Sequence, residues 1–571
     1  MRQPLALDII PSWRNAVVLR EDQPALENAS SLLMKRRTFL QVSLLGGGAV
    51  LSSPSQTPAS HPAPVPVRPF DLEEVTTTEL QAEMKTGHHT ARSIVEKYLL
   101  RIDEIDKRGP AINAVIEINP DALAIADALD KERREKGARG PLHGVPVLIK
   151  DNIDTADRMM TTAGSLALSG SIAPRDSFVA QRLLEAGAVI LGKTNLNEWA
   201  NFRSGHSTSG WSGRGGQTLN PYALDRNPCG SSSGSGAAAS ANLCAIAIGT
   251  ETDGSVTCPS SINALVGIKP TVGLVSRSGI IPISHSQDTA GPMTRTVTDA
   301  AILLGVMAGI DPNDAVTKES AGKAQPDYTK FLDSNGLRGA RIGVARKYFG
   351  FSEPVDKLMA AAIDIMKHLG AEIIDPADIP TTGKFGDSEN EVMLYEFKAD
   401  LNAYLERLGP KAPVHSLQEI IDFNEKNAAK EMPFFGQDVM IKAQAKGPLT
   451  TPAYLKALKR NHELARTRGI DAIMGKHKLD ALIAPTAPPA WPIDLPNGDH
   501  FPGGDFTGPA AVAGYPHITV PAGYVFGLPV GLSFVGKAYS EPVLIRLAYA
   551  FEQATKFRKP PRFLPTVDLR S

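Results

Sequence analysis

The sequence predicts an α/β protein built on a mixed sheet, and three observations predict it. Between His143 and Val297 short apolar runs alternate with amphipathic stretches, the signature of strands and helices in turn. The segments on either side read as helical, and short strand-like runs resume near the end, so the middle is expected to cover one continuous sheet.

In chain order, Met34-Lys-Arg-Arg-Thr-Phe-Leu-Gln41 comes first, followed by an apolar, Gly-rich run to about Leu51 and a Ser-, Pro- and Ala-rich exit. A basic start, a short apolar core and a small-residue exit are what a removable export signal needs, and the twin arginines point to the twin-arginine route. Residues 34–67 are therefore read as signal peptide and linker. Residues 1–33 are read as a mis-assigned start or disordered leader, with Met34 the true initiator. The expected location is periplasmic or secreted.

From Leu72 to Lys136 the pattern is helical, and Ser93 to Ile105 repeats apolar residues at three and four. Val145 to Ile149, Ala188 to Leu191 and Ala245 to Ile248 then read as strands, with Ser177 to Glu185 as an amphipathic helix. Residues 311–476 are more charged and read as a helical cover, with helices over Leu394 to Leu408 and Tyr454 to Arg468. Leu479 to Ile483 and Val530 to Val535 resume strands.

Composition narrows the function. Sixty basic against sixty-one acidic residues give a net charge of −1, so no global field holds a polyanion or an anionic membrane. Neither nucleic-acid binding nor stable membrane association is expected. Cys229, Cys244 and Cys258 have neither zinc-site spacing nor the even number of a disulfide framework, and are read as small core residues.

Several motifs tempt and fail. Gly187 to Thr194 fits G-x-x-x-x-G-K-T, but its middle residues Ala-Val-Ile-Leu read as a buried strand rather than a phosphate loop. Gly230 to Gly234 fits the G-x-S-x-G elbow, for which His285, His415 or His517 could be the partner; yet Asn220 to Pro228 before it is a Pro-containing loop where a strand is needed. Ser320-Ala-Gly-Lys323 and Lys85-Thr-Gly87 occur in the wrong order for a penicillin-recognising enzyme. His88-His89 has no third ligand in sequence and reads as a solvated pair.

The chemistry concentrates elsewhere. Cys229 to Gly236 is a Ser/Gly cluster running into Ala237 to Ile248, a stretch so poor in large or charged residues that it must pack closely. A serine cluster at a helix start offers hydroxyls and unpaired N–H groups. Thr250-Glu-Thr-Asp-Gly-Ser255 reads as a strand breaking into a tight turn, and His143 to Lys150 places a lysine at the end of an apolar strand, where desolvation favours the neutral amine.

With Gly192-Lys-Thr-Asn195, Gly267 to Thr271, Asp288 to Met293 and Gly527 to Gly531 in order, residues from about Leu72 to Pro561 resemble the amidase signature hydrolases. The resemblance implies a single large domain, residues 68–571, with a mixed twisted β-sheet core covered by helices on both faces and a signature core over 143–300. It also implies a catalytic set of Ser255 as nucleophile, Ser231 as bridge after a cis Gly230–Ser231 bond, and Lys150 as base. Backbone N–H groups of Thr252, Asp253, Gly254 and Ser255 would hold the oxyanion. The substrate is expected to be a small-molecule or peptide amide, with no cofactor and no metal.

Cys229 and Ser233 replace family glycines, and Glu251 and Asp253 depart from the commoner Asp-Thr-Gly-Gly-Ser, leaving an unusually acidic turn. With Thr161 to Leu166, Glu198 to Arg203 and Gly210-Trp211, these departures look most like bacterial peptide amidases, which release ammonia from carboxy-terminal peptide amides. Fatty-amide or aryl-amide hydrolysis is the alternative. A cytosolic glutamine-amidotransferase subunit shares the fold but conflicts with the export signal. Trp491 and Phe506 could line the pocket, although core packing explains them equally well.

Overall fold

A computed structural model of the chain describes residues 62–570, so the leader and most of the expected signal segment lie outside the described residues. The described residues all lie within one compact unit.

Thirteen strands are present among the described residues. They are β1 (Val115–Ile118), β2 (Pro146–Lys150), β3 (Val189–Thr194), β4 (Trp211–Ser212), β5 (Gly216–Gln217), β6 (Ile246–Glu251), β7 (Val266–Lys269), β8 (Thr289–Thr294), β9 (Arg341–Val344), β10 (Glu372–Ile374), β11 (Ala481–Pro485), β12 (His517–Val525) and β13 (Leu528–Val535). Eleven of them build one sheet in the order β1-β3-β2-β6-β8-β7-β12-β13-β11-β9-β10, while β4 and β5 pair separately. The sheet is mixed: β3, β2 and β6 are parallel, as are β11, β9 and β10, and the strands between them alternate.

Every residue of β2, β3, β6, β7, β8, β11 and β13 is buried. Successive strand residues point to opposite faces, so burial at every position means that both faces are covered, here by helices. This is the α/β architecture the sequence predicts.

Three strands fall in segments read as helical. The expected scaffold of residues 72–136 contains β1, and the expected helical cover of 311–476 contains β9 and β10. All three lie at sheet margins, and β1 and β10 are only partly buried. An edge strand needs no continuous apolar run, and charged residues such as Glu117 and Glu372 hid the pattern. The rest of the cover is helical, with Gly386–Leu408 its longest helix.

The Ser/Gly/Ala run forms a helix, Ser233–Ser240, buried at all eight positions. Its small residues follow from that position: a Cβ on Gly234 would sit 2.3 Å from the Ala114 carbonyl oxygen and 2.5 Å from that of Asn195. This close approach sets the start of the helix firmly against the residues that flank β1 and β3.

Over this end of the sheet lies a second apolar cluster, in which Phe397 and Leu401 of Gly386–Leu408 pack with Trp199, Phe202 and Ile283. Among the described residues no helix is long and apolar enough to cross a membrane.

Candidate active site

Parallel pairing of β2 with β6 sets Ile149 beside Ile248, which carries Lys150, one residue on, and Thr250, two residues on, to the same end of the sheet. Lys150 is wholly buried. Its Nζ lies 2.8 Å from Ser231 Oγ, 3.0 Å from Thr250 Oγ1 and 3.3 Å from the Thr250 carbonyl oxygen. Burial lowers its pKa to about 7, against the smaller opposing pull of Asp288 and Glu251. A neutral amine has two hydrogens and one lone pair, so two donations to Thr250 leave the lone pair for the Ser231 hydroxyl.

Ser231 follows a cis peptide bond from Gly230. Its carbonyl oxygen accepts from Asn197 N at 3.1 Å, while Asn197 Oδ1 accepts from Ser233 Oγ at 2.9 Å. Ser232, the central serine of the G-x-S-x-G match, is fully engaged with β6, donating to the Thr250 carbonyl and accepting from Thr250 N. The segment before it is not a strand.

Ser232 N also donates to the Ser255 carbonyl oxygen at 3.2 Å, tying the two serine turns together. At Ser255 the chain leaves β6 through Gly254, whose φ of +75° favours glycine. Glu251 plays a structural part, since its carboxylate accepts from Val256 N at 2.8 Å and Thr257 N at 2.9 Å and so holds the start of helix Thr257–Ile262. Among the described residues, no protein acceptor takes the N–H groups of Asp253, Gly254 and Ser255. The turn therefore presents free donors.

Gly230 and Ser255 wall a cavity of about 510 Å³ together with Phe202, Asn390, Met393 and Phe501. A larger cavity, about 640 Å³, adjoins it through Ala200, Thr252 and Ile283 but lacks both Gly230 and Ser255. The smaller one is the candidate substrate pocket. Phe506 is not in its wall, being buried against Tyr348 at a ring separation of 4.7 Å. Trp491 stands one layer behind, packed on Phe501 at 4.5 Å.

The cysteine reading is corrected. Cys229 and Cys258 form a disulfide, with Cα atoms 6.1 Å apart, and only Cys244 is free and buried. Their spacing in sequence carried no signal because the pairing is spatial: one precedes the Gly230–Ser231 bond and the other lies in the helix after Ser255. The bridge crosses from one serine turn to the other.

The discarded motifs have ordinary uses. Lys193, the lysine of the phosphate-loop match, is buried in β3 and donates to the Ile153 carbonyl and Thr161 Oγ1. His517 is buried on Ser533 Oγ at 2.6 Å, His415 is exposed, and His285 faces Asp400 and Glu396. None of the three meets Ser231 or Ser232. His88 Nδ1 lies 2.7 Å from Glu83, five residues back on the preceding helix, Thr77–Thr86.

Sequence reasoning overlooked the partners of the named residues. Thr250, Asn152 and Asp288 stood within quoted motifs, yet Thr250 holds Lys150, Asn152 Nδ2 donates to Thr250 Oγ1 at 2.9 Å, and Asp288 accepts from Thr252 Oγ1 at 2.6 Å. In Glu198 to Arg203, the signal was a charged pair in an apolar context: Arg203 and Glu198 form a fully buried ion pair at 2.7 Å that anchors the loop bearing Phe202.

The native peptide amidase of Stenotrophomonas maltophilia superposes with a TM-score of 0.83 at 50% identity, covering 87% of this chain and all of that one. A probable amidase of Arabidopsis thaliana is 44% identical over 87% of this chain and 93% of its own length. A glutamyl-tRNA(Gln) amidotransferase subunit of Thermoanaerobacter pseudethanolicus is 35% identical, covering 86% and 99%. With the family model described as Amidase matching residues 93–545, the chain belongs to the amidase family and is a hydrolase of amide C–N bonds.

Proposed function

We propose that the protein releases ammonia from carboxy-terminal peptide amides by Ser255–Ser231–Lys150 catalysis. One observation carries the mechanism: a buried lysine with its pKa near 7 lies 2.8 Å from the Ser231 hydroxyl, at a turn bonded to Ser255. Neutral Lys150 takes a proton from Ser231, which takes one from Ser255, and Ser255 Oγ attacks the carboxamide carbon. The N–H groups of Thr252 to Ser255 hold the oxyanion, each worth roughly 3 kcal/mol. The proton returns by the same route to the leaving nitrogen, ammonia departs, and water attacking the acyl-enzyme releases the acid and restores Ser255.

The peptide-amide substrate is supported by the 50% identity to a peptide amidase over nearly the whole domain. The amidotransferase subunit is more distant at 35%. Export by the twin-arginine route is part of the same proposal, and the Cys229–Cys258 disulfide suits an oxidising compartment.

The test is ammonia release from peptide amides, the matching free acids, long-chain amides and anilides, in wild type and Ser255→Ala. Peptide amides are expected to react fastest, and the variant to lose at least about 10⁴-fold in kcat. Unchanged release by Ser255→Ala overturns the mechanism, and a preference for long-chain amides or anilides overturns the substrate.

A further inference from the structure

Asp253 stands in the oxyanion turn itself, and its carboxyl group is crowded by others. Thr507 Oγ1 lies 2.5 Å from Asp253 Oδ1 and 2.8 Å from Asp505 Oδ1. A hydroxyl has one hydrogen, so it can donate to only one of these oxygens; the other contact is a hydrogen bond only if that carboxyl carries a proton and donates to Thr507. The cluster therefore holds at least one acid proton.

The donors around it show where that proton sits. Asp505 Oδ1 already accepts from Thr507 N at 2.9 Å. Glu389 Oε1 accepts from Gln287 Nε2 at 3.0 Å, and Glu251 accepts from the Val256 and Thr257 amides. The Asp253 side chain has no N–H donor of its own. It faces Thr507, Asp505, Glu389, Glu251 and Tyr348, with the buried Lys269 as the cation in its field. A carboxylate with three carboxyl neighbours and no direct cation is the poorest candidate for ionisation.

We propose that Asp253 works as a neutral carboxylic acid, a positioning residue that bonds the oxyanion turn to Thr507 without placing a negative charge beside its free amides. A carboxylate there would oppose the charge those amides stabilise. Burial and the carboxyls of Glu389, Asp505 and Glu251 hold the Asp253 carboxyl well above its ordinary range, in keeping with this state. The acidic turn is thus acidic in composition only. The proposal rests on the assignment of Ser255 as nucleophile.

The experiment compares kcat/KM against pH for wild type, Asp253→Ala, Asp253→Asn and Asp505→Asn, using one dipeptide amide with a free amino group and its N-acetyl form, with thermal unfolding to confirm folding. Asp253→Ala is expected to lose about tenfold in kcat, the worth of one ordinary hydrogen bond. Wild type is expected to lose kcat/KM on the alkaline side as Asp253 ionises, whereas Asp253→Asn, a neutral mimic, recovers most of the alanine loss and lacks that descent. Asp505→Asn removes a neighbouring charge, so Asp253 ionises more easily and the descent begins at lower pH.

An Asp253→Asn enzyme as impaired as Asp253→Ala, or one that keeps the alkaline descent, overturns the proposal. So does a selective loss of the free-amine substrate, which would make Asp253 a carboxylate that binds the substrate ammonium. Failure of the underlying mechanism is read separately, because only that failure leaves Ser255→Ala active.

Discussion

Lys150 ends β2 and Lys193 stands one residue before the end of the neighbouring parallel β3, with Lys150 paired to Thr194 and Ile149 to Lys193, and both are wholly buried. Their surroundings differ. Lys193 donates to a carbonyl and a hydroxyl in a region with Asp151 and Asp154, whereas Lys150 touches Ser231 and Thr250 and no carboxylate. Burial lowers the pKa of both, and it takes Lys269 to about 8 as well. A low proton affinity thus marks three lysines here. What singles out Lys150 is a hydroxyl partner on a turn that reaches the cavity.

The sharpest way to break this comparison is Lys150→Met, which keeps the volume and removes the amine. Ammonia release is expected to fall about 10³- to 10⁴-fold. Thermal stability should hold or rise, because no buried carboxylate is left without a partner. Activity near the wild-type level in Lys150→Met removes the lysine from the mechanism.

The same residue sets two pH effects. Lys150 must be neutral to take a proton, so kcat/KM rises through about pH 7 on the acid side. For stability, the folded pKa lies below the unfolded one of 10.5, so between the two the unfolded chain binds the extra proton and stability increases with pH. A drop of this size is worth roughly 5 kcal/mol over that window. Lys150→Met should lack that contribution when urea unfolding is followed from pH 7 to 10.

The Ser231–Ser255 side is held differently, by the disulfide as well as by hydrogen bonds. Closing a loop of 29 residues contributes roughly 3 to 4 kcal/mol. The double variant Cys229→Ala, Cys258→Ala is expected to lose about that much in urea unfolding. Thiol titration of denatured protein checks the pairing directly: one thiol, Cys244, before reduction and three after it.

The contrast also shows what a sequence can disclose. Lys150, Ser231 and Ser255 stood out as candidates because each sits in a motif whose local chemistry is unusual, a lysine ending an apolar strand and serines at sharp turns, while their roles came from the family resemblance. Central strands such as β2 and β6 were legible because burial on both faces demands continuous apolar runs. β1 and β10 were not, since their edge positions relax that demand, and β9 beside β10 is only four residues long. Glu389, Asp505 and Thr507 reach Asp253 from more than a hundred residues away, and the disulfide joins two turns that only the folded sheet brings together. Local pattern discloses local constraint; the groups that tune the site come from distant segments.

The smallest expected effect sharpens the opening contrast from the other side. Lys193→Met leaves the Ile153 carbonyl and Thr161 hydroxyl without their donor, and removes a cation that offsets the buried Asp154 and, beside Arg214, Asp151. Loss of a buried charged donor costs roughly 2 to 3 kcal/mol, so the melting temperature should fall. Ammonia release per folded molecule should stay within about threefold of wild type, since strand alternation turns Lys193 to the face opposite Lys150 and the two share no hydrogen-bond partner. If Lys193→Met instead silences the enzyme at full stability, the division of labour between the two strand ends is wrong, and proton affinity alone would have been the better guide.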